Sequence, residues 1–281
     1  MIQTTLLYCM KKTAFLLLAL FCIPCSSVVA EEEYTLSMSP LFPVDQQETI
    51  LSPLATRLSE ETGNTITLLP AKNIDHYTAE ILHGNIVIGY ESPAVYVRTS
   101  NVHEAIVSAV TPQYHAPVSQ GIIITRPESG ISGLEDIQGK KIMMVSRESA
   151  GGFLSQKLTL HEKGIDVERD CQLIEAAEQR EENVIISVSI GDVDAGFISE
   201  DALHKADQYI APGSIISVAK TAPLPNWVIS ITRHMPQVQK NDLKKALLGL
   251  PQEDPALKAL GIAAFTSVSD ADYDIIRDII E

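Results

Sequence analysis

Cysteine is scarce in this sequence, which has 4 Cys among 281 residues. Cys9, Cys22 and Cys25 lie within the first thirty residues, so Cys171 is alone in the remainder. One cysteine cannot form an intramolecular disulfide, and the fold must therefore be stabilised by a hydrophobic core. None of the 7 His lies at metal-ligand spacing with another His or with Cys, so we expect neither a metal nor a cofactor.

Basic side chains are also scarce, with 21 Lys and Arg against 36 Asp and Glu and a formal net charge of −15. Binding along a nucleic-acid backbone requires clustered Lys and Arg, so we expect no nucleic-acid partner. The hydrophobic fraction of 45% is near the globular average, and the glycines and prolines follow no period. The composition therefore excludes a disordered or collagen-like chain.

The first thirty residues are typical of a secretory signal peptide. Lys11-Lys12 precedes a short apolar run over 14–23, and small residues lead up to Ala30, after which we predict cleavage. The run is too short for a bilayer, which requires about 20 apolar residues. An uncleaved anchor, a lipoprotein and translation from Met10 remain alternatives. Cleavage removes two lysines and no acid, so the formal charge changes from −15 to −17.

The rest of the sequence alternates β-rich segments with segments of helical periodicity. Apolar spacing predicts a helix over 47–62, and a continuous apolar run predicts a strand over 86–90. We expect an α/β fold with mostly parallel sheets flanked by helices. Residues 85–90 are echoed by residues 192–197, which indicates two lobes with equivalent sites at the carboxyl ends of their strands.

Several stretches together carry a family resemblance: Pro53 to Gly63, Ile88 to Pro93, Ser129 to Lys141, Gly191 to Gly196, Leu260 to Ile262 and Asp270 to Tyr273. In this order the chain resembles the phosphate/phosphonate-type substrate-binding proteins of ABC transporters. The resemblance implies the two-lobed type II periplasmic binding fold, in which a solute is held in a cleft between lobes. It also implies delivery of the solute to a membrane permease, without any chemistry.

We expect the mature chain to form two lobes joined by a hinge. The boundaries are 1–30 for the signal peptide, 31–115 and 225–281 for lobe 1, and 116–224 for lobe 2. The chain is expected to cross between the lobes near Pro112–Ser119 and Ala219–Asn226, where proline and small residues are frequent. Binding of a ligand should close the lobes by a hinge motion.

The segment from Val145 to Phe153 is rich in small residues and lies between a predicted strand and a predicted helix. Exposed amides at a helix start favour an anion, and small residues allow a ligand to approach the backbone. The family usually has a Ser-Thr-Ser-type run here, so the resemblance implies ligand contacts at Ser149, Ala150 and Gly151. Two of the three hydroxyls are absent. The alternative is an ordinary helix start capped by Ser149.

The equivalent loop of the first lobe is Tyr90-Glu91-Ser92. We expect Tyr90 and Ser92 to face the cleft and Glu91 to pair with a cationic group of the ligand. The alternative for Ser92 is a structural N-cap before a proline. The resemblance places Phe42 where the family often has a tyrosine, as an aromatic wall of the site or, alternatively, as a core residue.

Two further candidates come from the second half of the chain. The resemblance places Arg180 where the family often has a Ser-His pair, and its guanidinium would be a bidentate anion clamp. A solvated run of charges is the alternative. Ser199 takes the position of a family acid that holds a ligand amine. These positions depart from the family pattern, so the ligand can differ from the family's. We expect a small phosphate- or phosphonate-like anion or a zwitterion.

No HExxH, Walker A or GxSxG motif is present, so an enzyme is not expected. We therefore predict a monomeric periplasmic solute-binding protein that serves an ABC permease. The alternative is a ligand-sensing protein that signals to a membrane sensor kinase.

Overall fold

The structure is a computed structural model that describes residues 32–280. Its strands are β1 (Glu33–Met38), β2 (Thr65–Leu68), β3 (Ile88–Glu91), β4 (His103–Val110), β5 (Val118–Ser119), β6 (Gly121–Thr125), β7 (Lys141–Met144), β8 (Gln172–Glu175), β9 (Ala195–Ser199), β10 (Ile216–Lys220), β11 (Leu224–Pro225), β12 (Val228–Thr232) and β13 (Ala264–Ser267). The predicted signal peptide lies outside the described residues.

The α-helices are α1 (Val44–Thr62), α2 (Ile74–Leu82), α3 (Pro93–Thr99), α4 (Ser155–Glu162), α5 (Val167–Asp170), α6 (Glu181–Ile190), α7 (Glu200–Leu203), α8 (Gln237–Leu248), α9 (Pro255–Leu260) and α10 (Asp274–Ile280). A π-helical segment, Ala150–Leu154, leads into α4. Short 3-10 turns occupy Leu134–Ile137, Ala177–Gln179, Ala206–Gln208 and Asp270–Tyr273. Within the part of the chain that is described, no helix is both long and apolar enough to cross a membrane.

The strands form two main sheets, and both are mixed. The six-stranded sheet has the order β13-β4-β12-β3-β1-β2, and the five-stranded sheet has the order β10-β6-β9-β7-β8. Parallel pairing is confined to β1 with β2 and β3, and to β7 with β8 and β9. The remaining pairs in these sheets are antiparallel. This corrects the expectation of mostly parallel sheets.

The antiparallel strands have a topological cause. A parallel neighbour requires a long crossover, usually through a helix. Strands β6 and β12 instead enter their sheets directly after β5 and β11, the two segments that link the sheets. No helical crossover sets their direction.

The two linking segments pair with each other. Val118 lies opposite Pro225 and Ser119 opposite Leu224 in the antiparallel β5–β11 ribbon. The six-stranded sheet uses strands before residue 111 and after residue 227, and the five-stranded sheet uses the strands between β5 and β11. Residues from 32 onward form one compact unit, and the expected division into lobes at 115/116 and 224/225 stays a prediction.

Two apolar clusters form much of the core, and the second includes residues of both sheets. Leu51, Leu54 and Leu58 recur at helical spacing on α1 and are buried in the same cluster as Leu36 and Met38 of β1. A second cluster contains residues from β7, β9 and the π-helical segment, such as Ile142, Phe197 and Phe153. The helical periodicity over 47–62 therefore identified a face that the fold buries.

Several short elements were not expected from the sequence. They include β5, β11, β13 and α5. Strand β13 contains four residues and pairs with β4 over Val107 to Val110. The three strands are defined by long-range pairing, and α5 is a single turn too short to show a period.

Gly196 tests how tightly α6 packs on β9. A Cβ atom at this position would lie 2.7 Å from Val184 Cγ1 and 2.8 Å from Val188 Cγ2, both on α6. We expect Gly196→Ala to lower the free energy of unfolding by about 1–3 kcal/mol, because the helix must move outward. The control is Gly133→Ala, whose Cβ would meet a flexible carboxylate oxygen of Glu135 at 3.1 Å. Urea denaturation that gives equal stabilities for both variants would contradict this packing.

Candidate functional site

A cavity of about 620 Å³ is lined by residues from both sheets and their connecting loops. Eight of the nine candidate residues line it: Phe42, Tyr90, Ser92, Ser149, Ala150, Gly151, Arg180 and Ser199. Glu91 does not. The structure thus brings together residues that are far apart in the sequence, while their contact with a ligand stays a prediction.

The side of the cavity that belongs to the six-stranded sheet is largely apolar. Phe42 is 43% exposed, so it is not a core aromatic. The ring of Tyr90 packs on Trp227, with 4.9 Å between the ring centroids. Leu260 and Ile262, at and after the end of α9, complete this side. Its polar lining residues are uncharged.

Ser92 occupies the N-cap position that the sequence left open, but its side chain forms no capping hydrogen bond there. It lies at the N-cap of α3, which begins at Pro93, and its side chain also lines the cavity. The backbone N–H of Ser92 donates to Ser39 Oγ at 3.1 Å. This bond fixes the end of β3 against the end of β1.

The other side of the cavity is built around the start of the π-helical segment. Ser149 Oγ accepts a hydrogen bond from the N–H of Gly152 at 3.0 Å, so Ser149 caps the segment. The hydroxyl proton of Ser149 remains available to a ligand. Among the described residues, the N–H groups of Ala150 and Gly151 have no acceptor. Such N–H groups at a helix start are donors suited to an anion.

Glycine is required here by packing as well as by ligand access. A Cβ atom on Gly151 would lie 2.9 Å from Ser119 Oγ and 3.0 Å from Ser199 Cβ. A Cβ atom on Gly152 would overlap Val145. The segment therefore sits directly against β5, β7 and β9, and larger residues would push it away from them.

Gln156 holds this segment in place. Its side chain is fully buried, and its Nε2 lies within hydrogen-bond distance of the carbonyls of Gly151, Ile122 and Ile198. No sequence pattern indicated this role, because the carbonyls of Ile122 and Ile198 come from distant parts of the chain. The anchor positions the free amides at the cavity.

The charged lining residues all come from the side of the five-stranded sheet. They are Glu148, Glu178, Arg180, Glu181 and Glu182. Arg180 Nε donates to Glu182 Oε1 at 2.6 Å, and a second carboxylate, that of Glu178, lies 3.8 Å from the guanidinium. Arg180 can bind an anion only if the ligand competes with these acids.

The turn before Arg180 is strained. Glu178 and Gln179 have φ values of 56° and 55°, in the left-handed region that non-glycine residues rarely adopt. Two such residues in succession are energetically costly and are maintained only where the surrounding structure imposes them. The strain lies in the segment that places Arg180 and three of the acids at the cavity.

Glu181 is a site residue that the sequence analysis missed. Its carboxylate accepts a hydrogen bond from the N–H of Ser199 at 2.7 Å. Burial raises the pKa of Glu181 above its usual value. The family acid is absent at position 199, and Glu181 supplies a carboxylate beside that position. Glu181 and Ser199 are 18 residues apart in the sequence, so their contact becomes visible only when α6 and β9 lie side by side in the fold.

The expectation for Glu91 is corrected by the structure. Its side chain is fully buried, and Tyr77 Oη donates to Glu91 Oε1 at 3.1 Å. Thr99 Oγ1 lies within 3.3 Å of both carboxylate oxygens. Neighbouring residues in a strand point to opposite faces, so Tyr90 reaches the cavity while Glu91 points away from it. Glu91 cannot pair with a cationic ligand there.

Glu91 belongs to a buried polar chain that passes over Gly89. Its carboxyl group is hydrogen-bonded to Ser230, and Ser230 Oγ lies 2.8 Å from His103 Nδ1. The chain ends where His103 Nε2 lies 3.1 Å from the carbonyl of Ile86. A Cβ atom on Gly89 would lie 2.5 Å from Tyr77 Oη and 3.0 Å from Ser230 Oγ, so only glycine leaves room for the cluster.

A count of protons assigns the state of this chain. The Ile86 carbonyl only accepts, so Nε2 of His103 carries a proton. With the ring neutral, Nδ1 accepts from Ser230, whose single hydroxyl proton is then used. With the Ser230 proton used in this way, a protonated Glu91 completes the chain. Burial raises the pKa of Glu91 to about 7 and lowers the pKa of His103 to about 4, in agreement with this assignment.

Known structures define the class of this fold. PhnD1 of Prochlorococcus marinus, in complex with methylphosphonate, matches with a TM-score of 0.71 and 13% identity, over 88% of this chain and 97% of that one. A Xanthomonas citri protein bound to chloride ion matches with a TM-score of 0.73 and 17% identity, over 88% and 95%. The fold is that of the type II periplasmic binding proteins, as predicted.

The family follows from the sequence itself. Residues 36–273 match the periplasmic substrate-binding proteins of phosphonate ABC transporters, and the chain belongs to this family. The phosphate-import protein PhnD of Mycolicibacterium smegmatis is 25% identical in an alignment of 205 residues that covers 68% of this chain. The chain spans 63% of the length of that relative. The resemblance inferred from the sequence is confirmed.

The buried chain predicts a pH dependence of stability for Glu91→Gln. Between about pH 4.5 and 7 the folded state holds a Glu91 proton that the unfolded state releases, so this group loses stabilising effect as pH rises. The pKa of His103 is lowered from 6.5 to about 4, so between these pH values its contribution to stability increases as pH rises. This contribution is the same in wild type and variant. The amide introduced by the substitution keeps a donor to Ser230 but cannot ionise. We therefore expect the stability of the variant, relative to wild type, to increase by at least about 1 kcal/mol from pH 4.5 to 7.

Urea denaturation at several pH values measures this difference. The control is Glu135→Gln, because Glu135 is exposed and its side chain lies outside this cluster. Parallel pH profiles for Glu91→Gln and wild type would show that Glu91 is ionised in the folded state.

Proposed function

We propose that the protein captures a small ligand with an anionic group, held by the Ser149–Gly151 segment inside the cavity, and delivers it to an ABC permease. The observation that carries this proposal is the pair of unpartnered amides at Ala150 and Gly151, beside the Ser149 hydroxyl, at a cavity wall. Three donors that converge in this way are suited to one anionic head group. Membership of the phosphonate-binding family supports the same role.

The acids around the site favour a ligand of low net negative charge. Glu148, Glu181 and Glu182 line the same side as the donors, while Arg180 is the one cation among the lining residues. Two anions in contact repel each other, so a monoanion or a zwitterion fits better than a dianion. In a zwitterion, the cationic group would lie near Glu181, which takes the place first assigned to Glu91.

The family supports a proposal for the partner and the location. Its members are periplasmic substrate-binding proteins of ABC transporters, and the predicted signal peptide over 1–30 supports export. We propose that the protein acts as a monomer and that its two lobes close over the ligand. The paired β5 and β11 segments, with the bond from Asn226 N–H to the Pro117 carbonyl at 3.0 Å, are where such a motion would be centred.

Arg180→Met tests the anion site. We expect the substitution to weaken binding at least about tenfold, because it removes the cation and leaves Glu182 unpaired beside the ligand. Isothermal titration calorimetry with inorganic phosphate and methylphosphonate measures the loss. Arg169→Met is the matched control, since Arg169 is also exposed and paired with neighbouring acids but lies outside the cavity. If the two variants bind the anions equally well, Arg180 does not contribute to binding. If the wild-type protein binds neither anion, the cavity is not an anion site.

A further inference from the structure

The two sides of the cavity differ in charge. Every charged lining residue belongs to the side of the five-stranded sheet, as described above. The facing side contributes polar groups only from neutral residues, namely Gln46, Tyr90, Ser92, Thr111 and Asn226. A ligand group that packs against that side forms no ion pair with it.

The uncharged side presents apolar surface that is not fully buried by the protein. Phe42 is 43% exposed, and Trp227, Leu260 and Ile262 are only partly buried. Apolar groups left at a concave surface of a protein mark a binding groove. Phe42, moreover, has no polar atom on its ring, so it cannot contribute a donor to an anion.

The size of the cavity agrees with this division. A volume of about 620 Å³ lies within the range of roughly 300–1,000 Å³ typical of sites for drug-sized ligands. A phosphate- or methylphosphonate-sized head group would occupy only the region near Ser149. The rest of the space is bordered by the apolar side.

We propose that the natural ligand is amphipathic, with an alkyl or aryl body that packs against Phe42, Tyr90 and Trp227. Its charged end lies at the Ser149–Gly151 segment, so this inference rests on the proposed function. The apolar body gains affinity because its removal from water also covers the exposed surface of Phe42 and Trp227. Phosphate alone would leave that surface in contact with water.

A matched ligand series tests the two parts separately. The series contains methyl- and butylphosphonate, methane- and butanesulfonate, and tetramethyl- and butyltrimethylammonium. Trp227 is the one Trp in the sequence and lines the cavity, so its fluorescence reports occupancy, and calorimetry gives the affinities. A buried methylene contributes about fourfold in affinity, so we expect the butyl anions to bind roughly tenfold or more tighter than their methyl partners.

Phe42→Ala is the variant that separates packing from head-group binding. We expect it to weaken the binding of butylphosphonate more than that of methylphosphonate, and so to reduce most of the butyl advantage. Tyr209→Ala is the control, because Tyr209 is 44% exposed, similar to Phe42, and lies outside the cavity. Equal effects of the two variants would overturn the assignment of Phe42.

The outcomes distinguish this inference from the proposed function. Methyl and butyl anions that bind equally would overturn the amphipathic ligand and leave the anion site intact. Binding of butyltrimethylammonium without binding of any anion would overturn the anion site and support the apolar body. No binding of any member of the series would count against both.

Discussion

The site depends on one constraint of helix geometry: the first N–H groups of a helix have no acceptor within it. At the π-helical segment, Ser149 supplies an acceptor for Gly152, while the N–H groups of Ala150 and Gly151 remain free. Gln156 keeps the segment against β6 and β9 through the carbonyls of Gly151, Ile122 and Ile198. The position of these donors decides where an anionic group can lie, and the lining residues are arranged around that point.

An acidic protein can hold an anion at such a place because contact dipoles and distant charges act over different ranges. The formal net charge is −15, but charges separated by more than about 8 Å are largely screened at physiological salt. The nearby acids are a stronger obstacle. Glu182 is engaged by Arg180, and Glu181 accepts from the Ser199 amide. Two of the carboxylates that would repel an anion are therefore already engaged by donors.

The residues that lie at the ends of strands were predictable from the sequence, and those joined by long-range contacts were not. The run of small residues after β7 pointed to Ser149, Ala150 and Gly151, because small residues at a helix start allow an anion to approach the backbone amides. The family resemblance added Phe42, Arg180 and Ser199. The period of two in β3 already implied that Tyr90 and Glu91 point to opposite faces, and applying it would have prevented the misassignment of Glu91. Glu181 and Gln156 required the tertiary structure.

The burial of Glu91 keeps its carboxyl group out of the apolar side of the cavity. Glu91 follows Tyr90, and an ionised carboxylate so close behind the aromatic wall would favour cations in the cavity and disfavour anions. Tyr77, Thr99 and Ser230 bind the carboxyl group in the space over Gly89, and burial raises its pKa to about 7. Below that pH the group is neutral. The charge pattern of the cavity is then set by the five-stranded-sheet side alone, and the aromatic wall is left to recognise shape and apolar surface.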